Sequence, residues 1–280
     1  MATLHLSCAA DRQYVPHAAA MLRSVLRLRG ELDAAVHFLH GPRLPRRARR
    51  RLAGMVERLG AAIEFLEVPD ERVEGLALFE GITPTMWYRV YLPELLPDVE
   101  RVLYLDADVL AVAPLGPLWA TDVDGWLLAA VTNVFPDHSA ARARPAALGL
   151  SGPEQYFNSG VLLLNLDEMR RDGTSDKILD FARSNELLYP DQDALNAVMA
   201  RRRLALHPRW NCMNSLFVYP WADEAFPTGQ ADEARRRPGI RHFEGPAENK
   251  PWHRDCGHEG RELYFEQRRE TPWRRVRLTA

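Results

Sequence analysis

The stretch Arg101-Val102-Leu103-Tyr104-Leu105-Asp106-Ala107-Asp108-Val109-Leu110 decides how this chain folds and where it works. Apart from Arg101 it opens apolar, with β-branched, aromatic and leucine side chains in succession. A strand buried on both faces has that composition. Asp106 and Asp108 then arrive at its end. Ionised carboxylates are costly to bury unpaired. A strand ending in Asp-X-Asp therefore needs a cation, a proton or a set of donors there. In extended chain, residues two apart point the same way, so both carboxylates can face one ion. The pair alone is a weak signal, since Asp-X-Asp recurs by chance.

The chain before this strand alternates. Thr3 to Cys8 reads as a strand, Val15 to Leu28 as a helix stopped by Gly30, and Val36 to Leu39 as a second strand. Pro45 to Leu59 is an Arg-rich amphipathic helix, Ile63 to Val68 a third strand, and Met86 to Leu95 a helix leading into the central strand. This β-α-β-α-β order predicts an α/β fold: a single, Rossmann-like, doubly wound and mostly parallel sheet. Ligands of such sheets bind outside the carboxyl ends of the strands, where Asp11, Asp106 and Asp108 all fall. No GxGxxG follows the first strand and no GxxxxGK[ST] occurs, which excludes the common dinucleotide and P-loop fingerprints.

After the central strand, Trp126 to Val131 and Val161 to Leu166 read as strands, separated by a long loop from Phe135 to Gly152 with room for one short helix. Asp176 to Asn185 and Tyr189 to Arg201 read as helices, the second opened by the acidic run Asp191-Gln192-Asp193. Leu204 to Leu206 and Gly239 to Phe243 are short strands, Trp210 to Pro238 is weakly patterned, and Arg261 to Arg269 is a final helix. With no repeat and no low-complexity linker, the expectation is one domain over residues 1–260, followed by a C-terminal helix and short basic tail over 261–280.

The 280 residues carry a formal net charge of -2, which gives no overall bias toward nucleic acid. The cations are nearly all Arg; Lys177 and Lys250 are the only lysines. Cys8, Cys212 and Cys256 are widely spaced and form no CxxC, which fits a reducing compartment. The first ten residues do not read as a signal peptide, and no run approaches the ~18 apolar residues of a membrane span. A cytoplasmic protein is expected. The tail Pro272 to Leu278 mixes Arg with apolar residues; it reads either as a solvated end or as a peripheral contact with anionic lipid at the inner membrane face.

Asp106 and Asp108 are hard oxygen donors suited to Mg2+ or Mn2+. His242, at the end of a short apolar strand, is the candidate third ligand, and an imidazole tilts the choice to Mn2+. Taken singly, Asn158-Ser159-Gly160 is a turn, Asp191-Gln192-Asp193 a helix start, Arg89 a surface residue and the Lys250 run a loop. In this order they resemble the family 8 glycosyltransferases, a group that includes bacterial lipopolysaccharide galactosyl- and glucosyltransferases. The resemblance lies in Ala9-Ala10-Asp11, Tyr88-Arg89, Val102 to Leu110, Tyr156 to Asn165 and Asp191 to Asn196. It closes with His242-Phe243-Glu244-Gly245-Pro246-Ala247-Glu248-Asn249-Lys250-Pro251-Trp252-His253, and covers roughly residues 3 to 260. The run from Lys250 to Cys256 is similar to the lipopolysaccharide galactosyltransferases in particular.

The resemblance implies a sheet of the GT-A glycosyltransferase type and a retaining hexosyltransferase that uses a UDP-sugar, UDP-galactose before UDP-glucose. Asp106, Asp108 and His242 would hold Mn2+, with Mg2+ as the alternative. Ala9, Asp11, Gln13 and Tyr14 would meet the uridine, Asp11 by a hydrogen bond to uracil and Tyr14 by stacking. Gly245 and Lys250 would bind the diphosphate, and Ala107 would belong to the same donor site. Arg89, Asn158, Ser159, Asp191 and Gln192 would surround the sugar, with Asp191 and Gln192 nearest the chemistry. The acceptor would be a hydroxyl of a saccharide or glycolipid, bordered by the Phe135 to Gly152 and Trp210 to Pro238 segments.

Elementary chemistry suits those roles. Breaking the bond between anomeric carbon and phosphate builds negative charge on the leaving diphosphate and positive charge on the ring. A divalent ion and Lys250 would stabilise the first, and carboxylate and amide oxygens the second. Retention admits a double displacement, which needs a nucleophile, or front-face attack; the neutral amide of Gln192 favours the latter. A dehalogenase-type phosphatase also uses Asp-X-Asp, but here Val109-Leu110 follows Asp108, on the fourth strand rather than near the N-terminus. A non-catalytic nucleotide-sugar-binding protein is the remaining alternative.

Overall fold

The computed structural model describes residues 3–78, 83–136, 139–275 and 278–279. Asp137 and His138 of the expected long loop, and Val276 and Arg277 of the expected basic tail, lie outside the described residues. The main sheet contains β1 (Thr3–Ala9), β2 (Asp33–His40), β3 (Ala62–Glu67), β4 (Arg101–Leu105), β6 (Leu128–Thr132), β7 (Phe157–Asn165) and β8 (Arg203–Ala205). The small sheet contains β5 (Val109–Ala111), β9 (Cys212–Met213) and β10 (Ile240–His242). The main sheet runs in the order β3-β2-β1-β4-β7-β6-β8. Its first four strands are mutually parallel, and β6 pairs parallel with β8.

Hydrophobic pattern dictates the layers. The helix Val15–Arg27 buries Ala18, Ala19, Met21, Leu22, Val25 and Leu26 on the sheet, each large side chain contributing about 1.5–3 kcal/mol by leaving water. All nine residues of β7 are buried, and so are four of the five in β4. These central strands are therefore near-continuous apolar runs, as their sequences require. The chain lays β2 and β3 on one side of β1, then returns to lay β4 on the other. The switch point between β1 and β4 opens a crevice at their carboxyl ends, where Asp11 and Asp106 follow directly.

Four local differences from the sequence reading bear on the site. The central strand stops at Leu105 instead of running on, and Asp106-Ala107-Asp108 turns into β5, which pairs antiparallel with β10 in the other sheet. The main-sheet ladder continues only as far as the bond from Asp106 N–H to Gly160 O (2.9 Å). The turn thus lifts both carboxylates out of the sheet interior. Second, β7 is antiparallel to β4 and β6. The chain leaves β6 and comes back on the same side, joined by Asn133 N–H to Tyr156 O (2.9 Å), so no crossover reverses it. This brings Asn158-Ser159-Gly160 to the crevice. Third, a helix Leu166–Asp172 follows β7, capped by Asn165 Oδ1 accepting from Glu168 N–H and ended by Gly173 at φ +63°. Fourth, the helix expected from Met86 to Leu95 is a 3-10 helix, Pro84–Tyr91, that becomes α only over Leu92–Leu95.

Candidate functional site

The site gathers where three chain segments meet the β1/β4 crevice. Asp106 and Asp108 come from the turn after β4, and His242 ends β10, the strand paired with β5. One ligand atom from each of the three lies within 4.8 Å of the others. His242 is 3% exposed, and its Nε2 stands 3.4 Å from Asp108 Oδ1. Two carboxylates and an imidazole suit a hard or borderline divalent cation, so the residues fit Mn2+ or Mg2+.

Lys250 Nζ donates to Asp108 Oδ2 (2.6 Å) and to Phe243 O (2.9 Å). Burial by itself would raise the pKa of Asp108, but Lys250 and His242 outweigh it and hold the carboxyl well below the usual carboxylate range. Lys250 responds oppositely: burial lowers its pKa, Asp108 reverses that, and the ammonium stays charged. Lys250 is positioned by a turn that needs Gly245, whose φ is +98° and whose absent Cβ would lie 2.4 Å from Asn249 Nδ2.

Arg89 is not a surface residue. It is 4% exposed, on the 3-10 helix, with its guanidinium 4.2 Å from the centre of the Tyr104 ring. It donates to Met86 O, Ser159 O and Asp106 Oδ1, the last at 2.9 Å, and stands 3.4 Å from Asp191 Oδ2. A buried guanidinium here neutralises two converging carboxylates that would otherwise repel.

Asp191 and Gln192 lie in the first turn of the helix Pro190–Met199. Burial, opposed by Arg89 and reinforced by Asp106, pushes the Asp191 pKa up to about 6. The Gln192 amide is held at both ends: Oε1 accepts from Ser159 N–H (2.9 Å) and Nε2 donates to Tyr156 OH (3.3 Å). Its neighbour Asp193 is fully buried and accepts from Leu188 N–H, Tyr189 N–H, Arg144 Nε and Tyr156 OH. That carboxylate fixes the start of the helix, and with it Asp191 and Gln192.

The remaining expected residues take these places. Asp11 Oδ1 accepts from Gln13 N–H (2.8 Å) and Tyr14 N–H (2.9 Å), capping the entry to the helix Val15–Arg27 and leaving Oδ2 for a ligand. Gln13 is exposed; Tyr14 is half-buried and meets Trp252 edge-on with ring centres 5.8 Å apart. Ala9 ends β1, and Ala107 is buried between the two aspartates. Asn158 is buried, with Oδ1 accepting from Gly160 N–H and Asn211 Nδ2 and its own Nδ2 donating to Asn133 Oδ1. Ser159 presents only backbone to Gln192 and Arg89.

Sequence reasoning did not find Asn211, Asn133 or Glu244 as parts of this arrangement. Asn211 Oδ1 lies 2.8 Å from His242 Nδ1. Glu244 accepts from the backbone N–H of Asn214 and Ser215, clamping the Asn211 segment to β10. The one available signal was a pair of asparagines, Asn211 and Asn214, among apolar neighbours; Asn in such company is usually there to make buried hydrogen bonds.

Known proteins resemble this chain, some of them over nearly its full length. General stress protein A of Bacillus subtilis (strain 168) is 28% identical over 281 residues, 98% of this chain and 96% of the relative. A lipopolysaccharide 1,2-glucosyltransferase of Escherichia coli (strain K12) is 28% identical over 173 residues, 60% of this chain and 50% of the relative. Among solved structures, the galactosyltransferase LgtC in complex with donor and acceptor sugar analogs superposes with a TM-score of 0.82 at 28% identity, covering 96% of each chain. Residues 5–256 match the model for glycosyl transferase family 8. On a doubly wound sheet of the GT-A type, with acidic, basic and amide side chains converging at its switch point, that match places the chain in glycosyl transferase family 8.

Proposed function

We propose that this family 8 enzyme is a retaining hexosyltransferase. It moves galactose, with glucose as the alternative, from its UDP conjugate to a hydroxyl of a saccharide or glycolipid. The observation that supports this most is the convergence of Asp106, Asp108 and His242 within 4.8 Å, beside Lys250 and joined through Arg89 and Ser159 to Asp191 and Gln192. That set provides for a negative leaving group on one side and a positive ring on the other. The names of the glucosyltransferase and galactosyltransferase relatives support hexose as the group moved.

A divalent cation held by Asp106, Asp108 and His242 would supply Lewis-acid stabilisation to the departing diphosphate. Lys250, buried and charged, adds a second positive centre for it. Arg89 bridges Asp106 and Asp191 and offsets the repulsion between them. Asp191, when ionised, stabilises positive charge at the ring, and Gln192 offers a fixed amide beside it. Because Gln192 is neutral and Asp191 faces Arg89, front-face transfer is favoured over a covalent intermediate. The remaining Asp11 oxygen suits the imide N–H of uracil. The Phe135 and Trp210 to Pro238 segments join where Trp221 Nε1 donates to Phe135 O (3.0 Å), and this rim is assigned to the acceptor.

The test is UDP release from UDP-galactose and UDP-glucose by the purified chain. Release that needs Mn2+ or Mg2+, stops with EDTA and is lost in Asp108→Asn is expected. UDP-sugar binding with no release under any divalent ion would make the protein a binder and overturn the proposal.

A further inference from the structure

We infer that Asn211 sets the tautomer of His242 and thereby makes that histidine a metal ligand; this rests on the divalent-cation reading above. Gly160 N–H can only donate, so the Asn158 side-chain atom 3.0 Å from it is the oxygen. That oxygen also lies 2.8 Å from an amide atom of Asn211, which must then be nitrogen. The other Asn211 atom is therefore oxygen, and it lies 2.8 Å from His242 Nδ1. An amide oxygen only accepts, so Nδ1 bears the proton, and in the neutral ring Nε2 is left with its lone pair. Nε2 is the nitrogen that faces Asp108 Oδ1, at 3.4 Å. With the ring neutral, two acceptors then face one another, an arrangement that a cation or a second proton between them relieves.

Gly160 binds this relay to the rest of the site. Its N–H orients Asn158, and its C=O accepts from Asp106 N–H. Its missing side chain leaves the space filled by His242: a Cβ there would lie 2.3 Å from His242 Cε1. The relay Gly160–Asn158–Asn211 is buried throughout, so water does not compete for these bonds and each orientation is fixed. Both ends of the Asn211 amide are engaged, by Asn158 and by His242, which makes it a positioning residue. Outer-shell partners of this kind change metal affinity by about 10- to 100-fold when removed.

Three forms of the full chain separate this from a packing role: wild type, Asn211→Leu and Asn211→Asp. Nitrogen-15 spectra of histidine-labelled, metal-free protein at alkaline pH report the tautomer, and Mn2+ binding in the presence of UDP is followed by electron paramagnetic resonance. Wild type should show the Nδ1–H form. Asn211→Leu removes the acceptor, shifts His242 toward Nε2–H and weakens Mn2+ binding by about 10- to 100-fold. Asn211→Asp keeps an acceptor for Nδ1–H, although its second oxygen meets Asn158 Oδ1 where the amide donated, so it should retain the tautomer and lose less affinity than Asn211→Leu. An unmoved tautomer in Asn211→Leu, or equal loss in both variants, overturns the inference. If Asn211→Leu does not fold, Asn211→Ser is read by the same two measurements. The spectra need no metal, so a wild type that shows Nδ1–H yet binds no Mn2+ overturns the cation reading instead.

Discussion

Gly160 is the residue at which the smallest change should do the most. An alanine Cβ would lie 2.3 Å from His242 Cε1 and 3.0 Å from both ring nitrogens. The ring is held by Asn211, so it cannot simply rotate away. Overpacking of this kind costs about 1–3 kcal/mol, which a domain of this size survives. Gly160→Ala should therefore fold, with turnover down at least about tenfold and a higher Mn2+ concentration needed for half-maximal rate. An unchanged Mn2+ titration curve would show that His242 does not hold the ion. Asp191 gives a second test. Its ordinary pKa of 3.8 becomes about 6 in the folded chain. Between those values the native state keeps a proton that the unfolded chain has lost, so stability falls as pH rises from about 4 to 6. A rise of that size corresponds to a loss on the order of 3 kcal/mol, and the loss persists above pH 6. In urea melts of metal-free protein, Asp191→Asn should gain on wild type as pH rises through that window. Parallel curves would refute the buried charge. The pH dependence of transfer runs the other way, since ionised Asp191 serves the ring. Single residues were only partly legible in the sequence. The paired aspartates stood out because buried carboxylates need a reason. Arg89 did not, because one arginine in a helix carries no mark of burial. Asn211 sits in a segment whose apolar pattern is broken by short turns.

At the scale of elements, the three strands and two α-helices before residue 80 were legible because each has a clean period and all but the first strand have Gly or Pro near their ends. The turn at Asp106 was not, since Val109-Leu110 continues the β-branched and apolar run although it belongs to another sheet. The direction of β7 was equally hidden: a buried strand reads alike whichever way it runs. The helix Leu166–Asp172 had a signal, Asn165 followed by Glu168 at capping-box spacing, overshadowed by the leucines before it. The acceptor rim follows from how elements meet. The helix Ser139–Ala147 is tied to the site by Arg144, which donates to Asp193 at 2.8 Å, while Trp221 joins the Phe135 segment to the far side. Trp221→Ala should raise the KM for the acceptor several-fold and leave UDP release by hydrolysis near wild type. An equal fall in both reactions would remove this rim from the acceptor and make Trp221 a structural residue.

Over the whole molecule, the helix Arg261–Arg269 and Thr279 are tied into the body of the fold. Tyr264 OH meets His17 Nδ1 at 2.6 Å, and His17 stacks on Trp252 with ring centres 3.5 Å apart. Tyr264 and Trp252 share an apolar cluster with Ala20, Leu110 and Phe243. Farther along, Thr279 N–H donates to Trp252 O (2.9 Å) and Thr279 O accepts from Arg254 N–H (3.0 Å). The C-terminal segment thus grips the chain directly after Lys250. Removing residues 261–280 would expose Trp252, His17 and the apolar cluster, a loss on the order of 4 kcal/mol for two large side chains. It would also free the turn that aims Lys250 at Asp108. Deleting 261–280 should therefore lower the Tm and weaken UDP binding together. Deleting only residues 274–280 should lower the Tm little, since helix and Tyr264 remain, yet still weaken UDP binding measurably by removing the Thr279 clamp. Should both truncations bind UDP as the full chain does, the tail would be independent of the site, and residues 1–260 would stand alone as the catalytic domain.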